Sequence, residues 1–346
     1  MKPELEKLCQ DYISNRDAVK EAFRWENEAL HAVCANIFCA RGKTADTERL
    51  KECRKIIKHS TGLRSKFRSK KVRSILAGML SLEDRPEDRM AQANEYYRLL
   101  KRQFKGTEYL VLTSFLLADL ADQDLTEEMI SRGKEIYARM NRQHRLLTNK
   151  TDSVFAMLMA FSGKTADELT GETEACYQAL KKRFSAYGAQ TAAQILSMAG
   201  GTPEEKTQRA ADLYDALHEA EIKYGNASEL APLAALSLAD TPLPVLTEEI
   251  REAAEFLKEQ KGFGGSKESD QAQRAMYAVM IVSDQYAGTE QVNITVMTNR
   301  IDMLIAKQQA SRISFFMNLL QFAAKLLPEG KKESVEEQKK DDVPAK

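Results

Sequence analysis

YYRLLKRQF (96–104), IYARMNRQH (136–144) and CYQALKKRF (176–184) are three versions of one short pattern, each displaced from the last by 40 residues. Tyr97, Tyr137 and Tyr177 are each followed three residues on by Leu100, Met140 and Leu180. Residues spaced this way share one face of an α-helix. The chain after each tyrosine recurs as well: a polar turn, then an apolar segment ending on a small or acidic residue. These second segments read EYLVLTSFLLAD (108–119), DSVFAMLMAFSG (152–163), QTAAQILSMAGG (190–201), ELAPLAALSLAD (229–240) and QRAMYAVMIVSD (273–284). Tyr214 with Leu217 continues the first series, and Ala254 with Leu257 is a degenerate copy. Cys53 with Ile56, followed by SILAGMLSLED (74–84), reads as an earlier unit.

A recurrence near 40 residues with two helices per unit predicts an all-α, helical-repeat (α-solenoid-like) array of about six helix pairs. One pair cannot bury its own apolar face, so stacked units must supply a continuous core. In this reading the tyrosines are largely buried anchors at equivalent places. The alanine-rich second helices (Ala231, Ala234, Ala235, Ala239) form a closely packed inner row, because small side chains permit short interaxial distances. The domain plan is an N-terminal helical cap over 1–43, tandem helix pairs over 44–288 and C-terminal capping helices over 289–328, followed by a disordered charged tail over 329–346. FFMNLLQFAAKLL (315–327) is the last amphipathic segment; capping the array is preferred over membrane-surface binding as its role. VNITVM (292–297) has strand-like composition inside helical flanks.

Helix-end chemistry supports the pairs. Thr165 with Glu168 and Thr202 with Glu205 fit the capping box, in which hydroxyl and carboxylate satisfy free amides reciprocally. Pro86 and Pro203 suit first helical turns, where a missing N–H costs little. LTEE at 125–128 and 246–249 would place carboxylates at the positive end of a helix dipole.

Lys+Arg and Asp+Glu balance at 51 each, which argues against general affinity for nucleic acid or membranes. The balance hides an asymmetry: residues 1–105 carry 24 basic and 15 acidic side chains, whereas 201–260 hold 13 acids and 5 bases. Such a molecule can orient a charged partner or a second copy of itself. MKPELEKLCQDYISNRD lacks an apolar signal region, and no apolar run approaches the length of a membrane span. Five cysteines do not make a disulfide framework in a chain of this length, so a reducing cytoplasm is the expected location.

NRDAVKEAFRWENEALHAVCA (15–35), LKECRKIIKHSTGLRSKFR (50–68) and MAFSGKTADELTGE (159–172) resemble the bacterial domain of unknown function family numbered 4003, over roughly residues 5–325. The resemblance implies a soluble bacterial protein and carries over no activity and no functional residues.

Several motifs suggest chemistry and lack a necessary part. GKTAD (42–46 and 163–167) lacks the earlier glycine of a phosphate-binding loop, whose place is held by Ile37 and Leu158. Gly42 and Gly163 read instead as helix stops, with Thr44 and Thr165 opening the next helix. His218-Glu219 has Ile222 where a zinc motif needs its second histidine, and Ser131 with Lys134 is chance spacing on a polar helix face. His31 shares a face with Cys34, and Cys9, Cys39 and Cys53 could approach, but the spacing matches no common ligand set, so core packing is expected. Asp119, Asp122 and Asp124 lack the glycine and bidentate glutamate of a calcium loop. Trp25, the single tryptophan, reads as a core anchor of the first helices.

KHSTGLRSKFRSKKVR (58–73) is different. Arg64, Lys66, Arg68, Lys70, Lys71 and Arg73 follow one another without an acid, with Phe67 among them. At a joint between helices such a run can dock an anion or an acidic partner, or it can be a solvated loop. Zero net charge and the lack of repeated aromatics disfavour nucleic acid. The expected function is a non-enzymatic scaffold that holds a protein or peptide along the inner row, with self-association a further option and no cofactor or metal. The alternatives are an enzyme or small-ligand binder with a pocket between repeats, and an anion or nucleic-acid binder through 58–73.

Overall fold

The computed structural model describes residues 1–286 apart from residues 27, 121–126, 149–151, 161–163 and 228. The capping helices expected over 289–328, the tail over 329–346, and the segments 292–297 and 315–327 lie outside the described residues, as do Asp122, Asp124 and Gly163.

The described secondary structure is helical, with no strand among the described residues. The helices run as consecutive pairs: α1 (Pro3–Ala22) with α2 (Glu28–Cys39), α3 (Thr47–His59) with α4 (Arg73–Ser81), α5 (Pro86–Leu100) with α6 (Glu108–Leu120), α7 (Glu127–Gln143) with α8 (Asp152–Met159), α9 (Ala166–Leu180) with α10 (Ala186–Leu196), α11 (Pro203–Glu219) with α12 (Leu230–Leu236), and α13 (Leu243–Lys258) with α14 (Glu268–Gln285). A 3-10 turn, Lys66–Arg68, interrupts the α3–α4 connection.

The two helices of a pair differ in character. The first is amphipathic and buries one row, such as Leu50, Cys53 and Ile57 in α3, or Ala210, Leu213 and Leu217 in α11. The second is mostly apolar and largely covered, except for the polar first half of α14. Every residue of α8 and α12 is buried, as is α10 from Gly188 onward, with Ala186 and Tyr187 of its first turn more open. Along these stretches the inner row is mostly core.

First helices follow one another in parallel. Arg49 of α3 reaches the Glu83 carbonyl ahead of α5, while Asn94 of α5 reaches the Ser60 carbonyl behind α3. Arg139 of α7 pairs with Asp167 of α9 near its start, and His144, just past α7, contacts Glu174 farther along α9. The same relation joins the last pair to the first. Lys2 meets Glu249 of α13 (2.8 Å), and farther along Arg16 of α1 donates to the Lys261 carbonyl behind α13 (3.0 Å). Buried Asn36 of α2 donates to Asp284 of α14 (2.8 Å). The chain of contacts thus closes on itself, and the connections from first to second helix share one end of the ring.

Helix ends follow the sequence with two shifts. Both capping boxes form, at Thr165–Glu168 and Thr202–Glu205, and Pro86 and Pro203 open α5 and α11. Gly42 adopts φ +58° and its N–H closes on the Cys39 carbonyl (2.9 Å), stopping α2. The next helix is capped by Asp46, whose carboxylate accepts from the Arg49 amide (2.6 Å), not by Thr44, because the chain stays extended until that point. LTEE at 246–249 lies inside α13, which already starts at Leu243 with Pro244 in its first turn.

Two core assignments are corrected. Tyr177 is 7% exposed, but Tyr97, Tyr137 and Tyr214 are only half-buried. The buried row runs one residue earlier, through Tyr96, Ile136, Cys176 and Leu213, and successive residues are about 100° apart around a helix. Each tyrosine instead lies on the flank, against a ring from the preceding connection: Tyr97 on Phe67, Tyr137 on Phe104, Tyr177 on His144 and Tyr214 on Phe184, with centroids 5.2, 6.1, 4.3 and 4.9 Å apart. Trp25 is 89% exposed, since the chain turns outward between α1 and α2 and Phe23 takes the buried place.

Candidate functional site

The connections at one end of the ring are rich in lysine and arginine: STGLRSKFRSKKV (60–72), KRQFKGT (101–107), HRLLT (144–148) and KKRFS (181–185). Acids gather at the other end, in LEDR (82–85) and in the first turns of α5, α9 and α11 (Glu87, Asp88, Asp167, Glu168, Glu204, Glu205). Helix dipoles favour this arrangement, since first helices present their carbonyl ends to the basic side and their amide ends to the acidic side. Ring packing then sums these local preferences into a polarised molecule whose net charge is zero.

The six basic residues singled out at 58–73 divide into two groups. Arg68 is used internally: its guanidinium donates to the Lys58 and Thr61 carbonyls and to Thr61 Oγ1 (3.2 Å), closing the end of α3. Arg73 clamps Glu26, whose side chain is 2% exposed, through Nη2 (2.7 Å) and Nε (3.2 Å). Lys66 reaches Glu108 at 3.5 Å. Arg64, Lys70 and Lys71 are exposed and have no ion-pair partner among the described residues. Phe67, interleaved with them, is buried against Tyr97 and Phe115 and anchors the loop to the core.

Three large apolar side chains stand in water on this same end. Trp25 in the α1–α2 connection, Leu63 in α3–α4 and Leu146 in α7–α8 are 89%, 88% and 98% exposed. Trp25 borders a depression lined by Arg24, Lys51, Arg54 and Arg73 together with Glu21 and Glu26. Reading the sequence missed all three, because an apolar residue between helices looks like a core contact until the path of the loop is known.

A cavity of about 510 Å³ lies at the seam between the first and last pairs, bordered by Arg16, His31, Phe263, Asp270, Arg274 and Tyr277. Much of its charge is already engaged. Arg16 bonds Asp17 (2.7 Å) and lies over Phe263 (5.0 Å), Lys20 pairs with Glu28 (3.1 Å), and Arg274 donates to the carbonyls of Phe263 (2.7 Å) and Gly265 (3.1 Å). His31 contacts the Phe23 carbonyl through Nε2 (3.0 Å), and burial lowers its pKa. These contacts fasten the seam. The cysteines lie in the core. All five are buried, and burial pushes the thiols of Cys53 and Cys176 up to about 11 and that of Cys9 to about 12, so the reactive thiolate is suppressed. Cys34 lies against the Ser74 carbonyl (3.4 Å), and no group of three or more His, Cys, Asp or Glu residues that could hold a metal is present among the described residues. Ser131 is exposed on α7, while Lys134 covers the rings of Phe104 and Tyr137. His218 is exposed and stacks on Tyr214.

Among the described residues no helix is long and apolar enough to cross a membrane. Fold and surface together define an all-α protein of paired helices with a polarised exterior. The chain belongs to the family described as protein of unknown function (DUF4003), whose model matches residues 15–310. No curated protein and no solved structure matches the chain.

Proposed function

We propose that the protein is a non-enzymatic binding scaffold, a helix-pair repeat with a period near 40 residues that closes into a ring and presents its basic end to an extended acidic surface. In this reading residues 1–43 form a helix pair like the others, since α1 and α2 pack together and onto α13 and α14. The observation that carries it is the set of exposed cations on adjacent connections, Arg64, Lys70, Lys71, Lys105, Arg145 and Lys182. Their combined field acts within a Debye length, about 8 Å at physiological salt, so a neutral molecule can still have one strongly attractive end.

The test is retention of the full chain on immobilised polyglutamate across a salt series. Native protein is expected to bind at low salt and elute as salt rises. Arg64→Glu, Lys70→Glu, Lys71→Glu and Lys182→Glu combined should abolish retention with an unchanged thermal melt. Retention of that variant at native salt overturns the reading.

A further inference from the structure

We infer that the acidic surface met by this end of the ring is an anionic lipid bilayer, with Trp25, Leu63 and Leu146 entering the headgroup region among the surrounding lysines and arginines. The inference rests on the basic-end reading and adds the chemistry of the partner. Charge alone does not distinguish a membrane from an acidic protein; the apolar tips do. An indole and two leucine side chains exposed at 88–98% have no folding role that requires that exposure. Apolar groups held in water gain by transfer to a less polar medium, and tryptophan in particular settles at the membrane–water interface. Basic groups beside them are drawn to anionic headgroups.

The arrangement also selects against other partners. Trp25, Leu63 and Leu146 stand on the connections after α1, α3 and α7, spread along an arc of the ring. A continuous fluid surface can receive three separated tips at once. The acidic end of a second copy offers one small apolar depression at Met1, Pro244 and Val245 beside Glu248 and Glu252, a poor match for three tips spread along an arc. Leucines give a nucleic acid nothing to stack on. The charge neutrality of the whole chain is no obstacle, because the exposed cations of this end act locally, over about one screening length.

Trp25 is the single tryptophan, so its emission reports this end alone. Full-length protein is mixed with vesicles of phosphatidylcholine, and of phosphatidylcholine with 30% phosphatidylserine. Co-sedimentation and a blue shift of Trp25 emission are expected with the anionic vesicles only. Leu63→Ser with Leu146→Ser should weaken vesicle binding at least tenfold while leaving polyglutamate retention and the thermal melt as in native protein. Equal vesicle binding by this variant, or no shift of Trp25, overturns the lipid inference and leaves the basic-end reading standing. Unfolding of the variant also overturns it, by showing that the tips are structural. If the charge-reversed variant keeps both vesicle and polyglutamate binding, the basic-end reading itself is wrong. Salt-dependent sedimentation as dimers or longer chains, without vesicle binding, would identify a second copy as the partner instead.

Discussion

Phe263, in the connection after α13, packs against Tyr12 of α1 with ring centroids 6.3 Å apart, and against Tyr277 of α14 at 5.5 Å. It does for the last and first pairs what Phe67, Phe104 and Phe184 do between consecutive ones. Closure therefore reuses the contact that joins neighbours. Phe263→Ala should destabilise the protein by about 3–5 kcal/mol, as expected for a large buried ring. Phe184→Ala should cost a similar amount. Urea unfolding followed by circular dichroism measures both; a loss below about 1 kcal/mol for Phe263 would show that the seam is not a true joint.

Trp25 provides the opposite case. Its replacement by alanine should change stability by no more than about 0.5 kcal/mol, because a side chain already in water loses little packing on truncation. Its emission in the native protein should be quenched by acrylamide nearly as efficiently as in urea. Strong native protection would return the indole to the core.

Glu249 fastens the other side of the seam. Its carboxylate accepts from Lys2 Nζ (2.8 Å), Gln285 Nε2 (3.0 Å) and the Tyr286 hydroxyl (2.6 Å), and burial together with this carboxylate raises the Tyr286 pKa. Glu249→Leu leaves the part-buried Gln285 and Tyr286 donors unmatched and should cost about 1–3 kcal/mol in all. Lys2→Ala removes only a largely exposed ammonium and should cost about 0–1 kcal/mol. Equal urea midpoints for the two variants would contradict this arrangement.

His31 predicts a pH dependence. Burial lowers its folded pKa against the opposing pull of Glu26 and Glu28, whereas the unfolded imidazole titrates near 6.5. Between the two values the unfolded chain binds more protons, so stability rises with pH through that window and falls as pH drops below about 6.5. His31→Gln should flatten the slope below pH 6.5. An unchanged slope would assign acid sensitivity to other groups.

The basic run should separate by role. Arg73→Ala strands the buried Glu26 carboxylate and should cost about 3 kcal/mol. Lys70→Glu with Lys71→Glu, on exposed side chains, should alter stability by less than about 0.5 kcal/mol. Melting curves of the two variants decide the assignment.

Much of the local structure was legible in the sequence because its causes are local. The alternation of amphipathic and apolar helices, the Thr165 and Thr202 boxes and the prolines opening α5 and α11 depend on residues within a few positions of each other. One available signal went unread: Phe104, His144 and Phe184 end the three repeated stretches, and each supports the next tyrosine. The basic run was visible as charge, but which cations remain free was not, since the partners of Arg68 and Arg73 are a helix end and a buried carboxylate on another connection.

The sequence by itself determined an all-helical chain of paired elements, because helix periodicity, capping and dipole compensation act over one or two turns. Only the tertiary structure decided that the ends of this array meet. Tyr12 with Phe263, Asn36 with Asp284 and Lys2 with Glu249 join residues about as far apart as the described chain allows. The small rotation and tilt between successive pairs decide whether an array stays open or returns to its start, and that angle is the sum of packing at every interface. No single stretch encodes it. The same sum directs Trp25, Leu63 and Leu146 outward on one end, which gives the protein a face that composition alone had concealed.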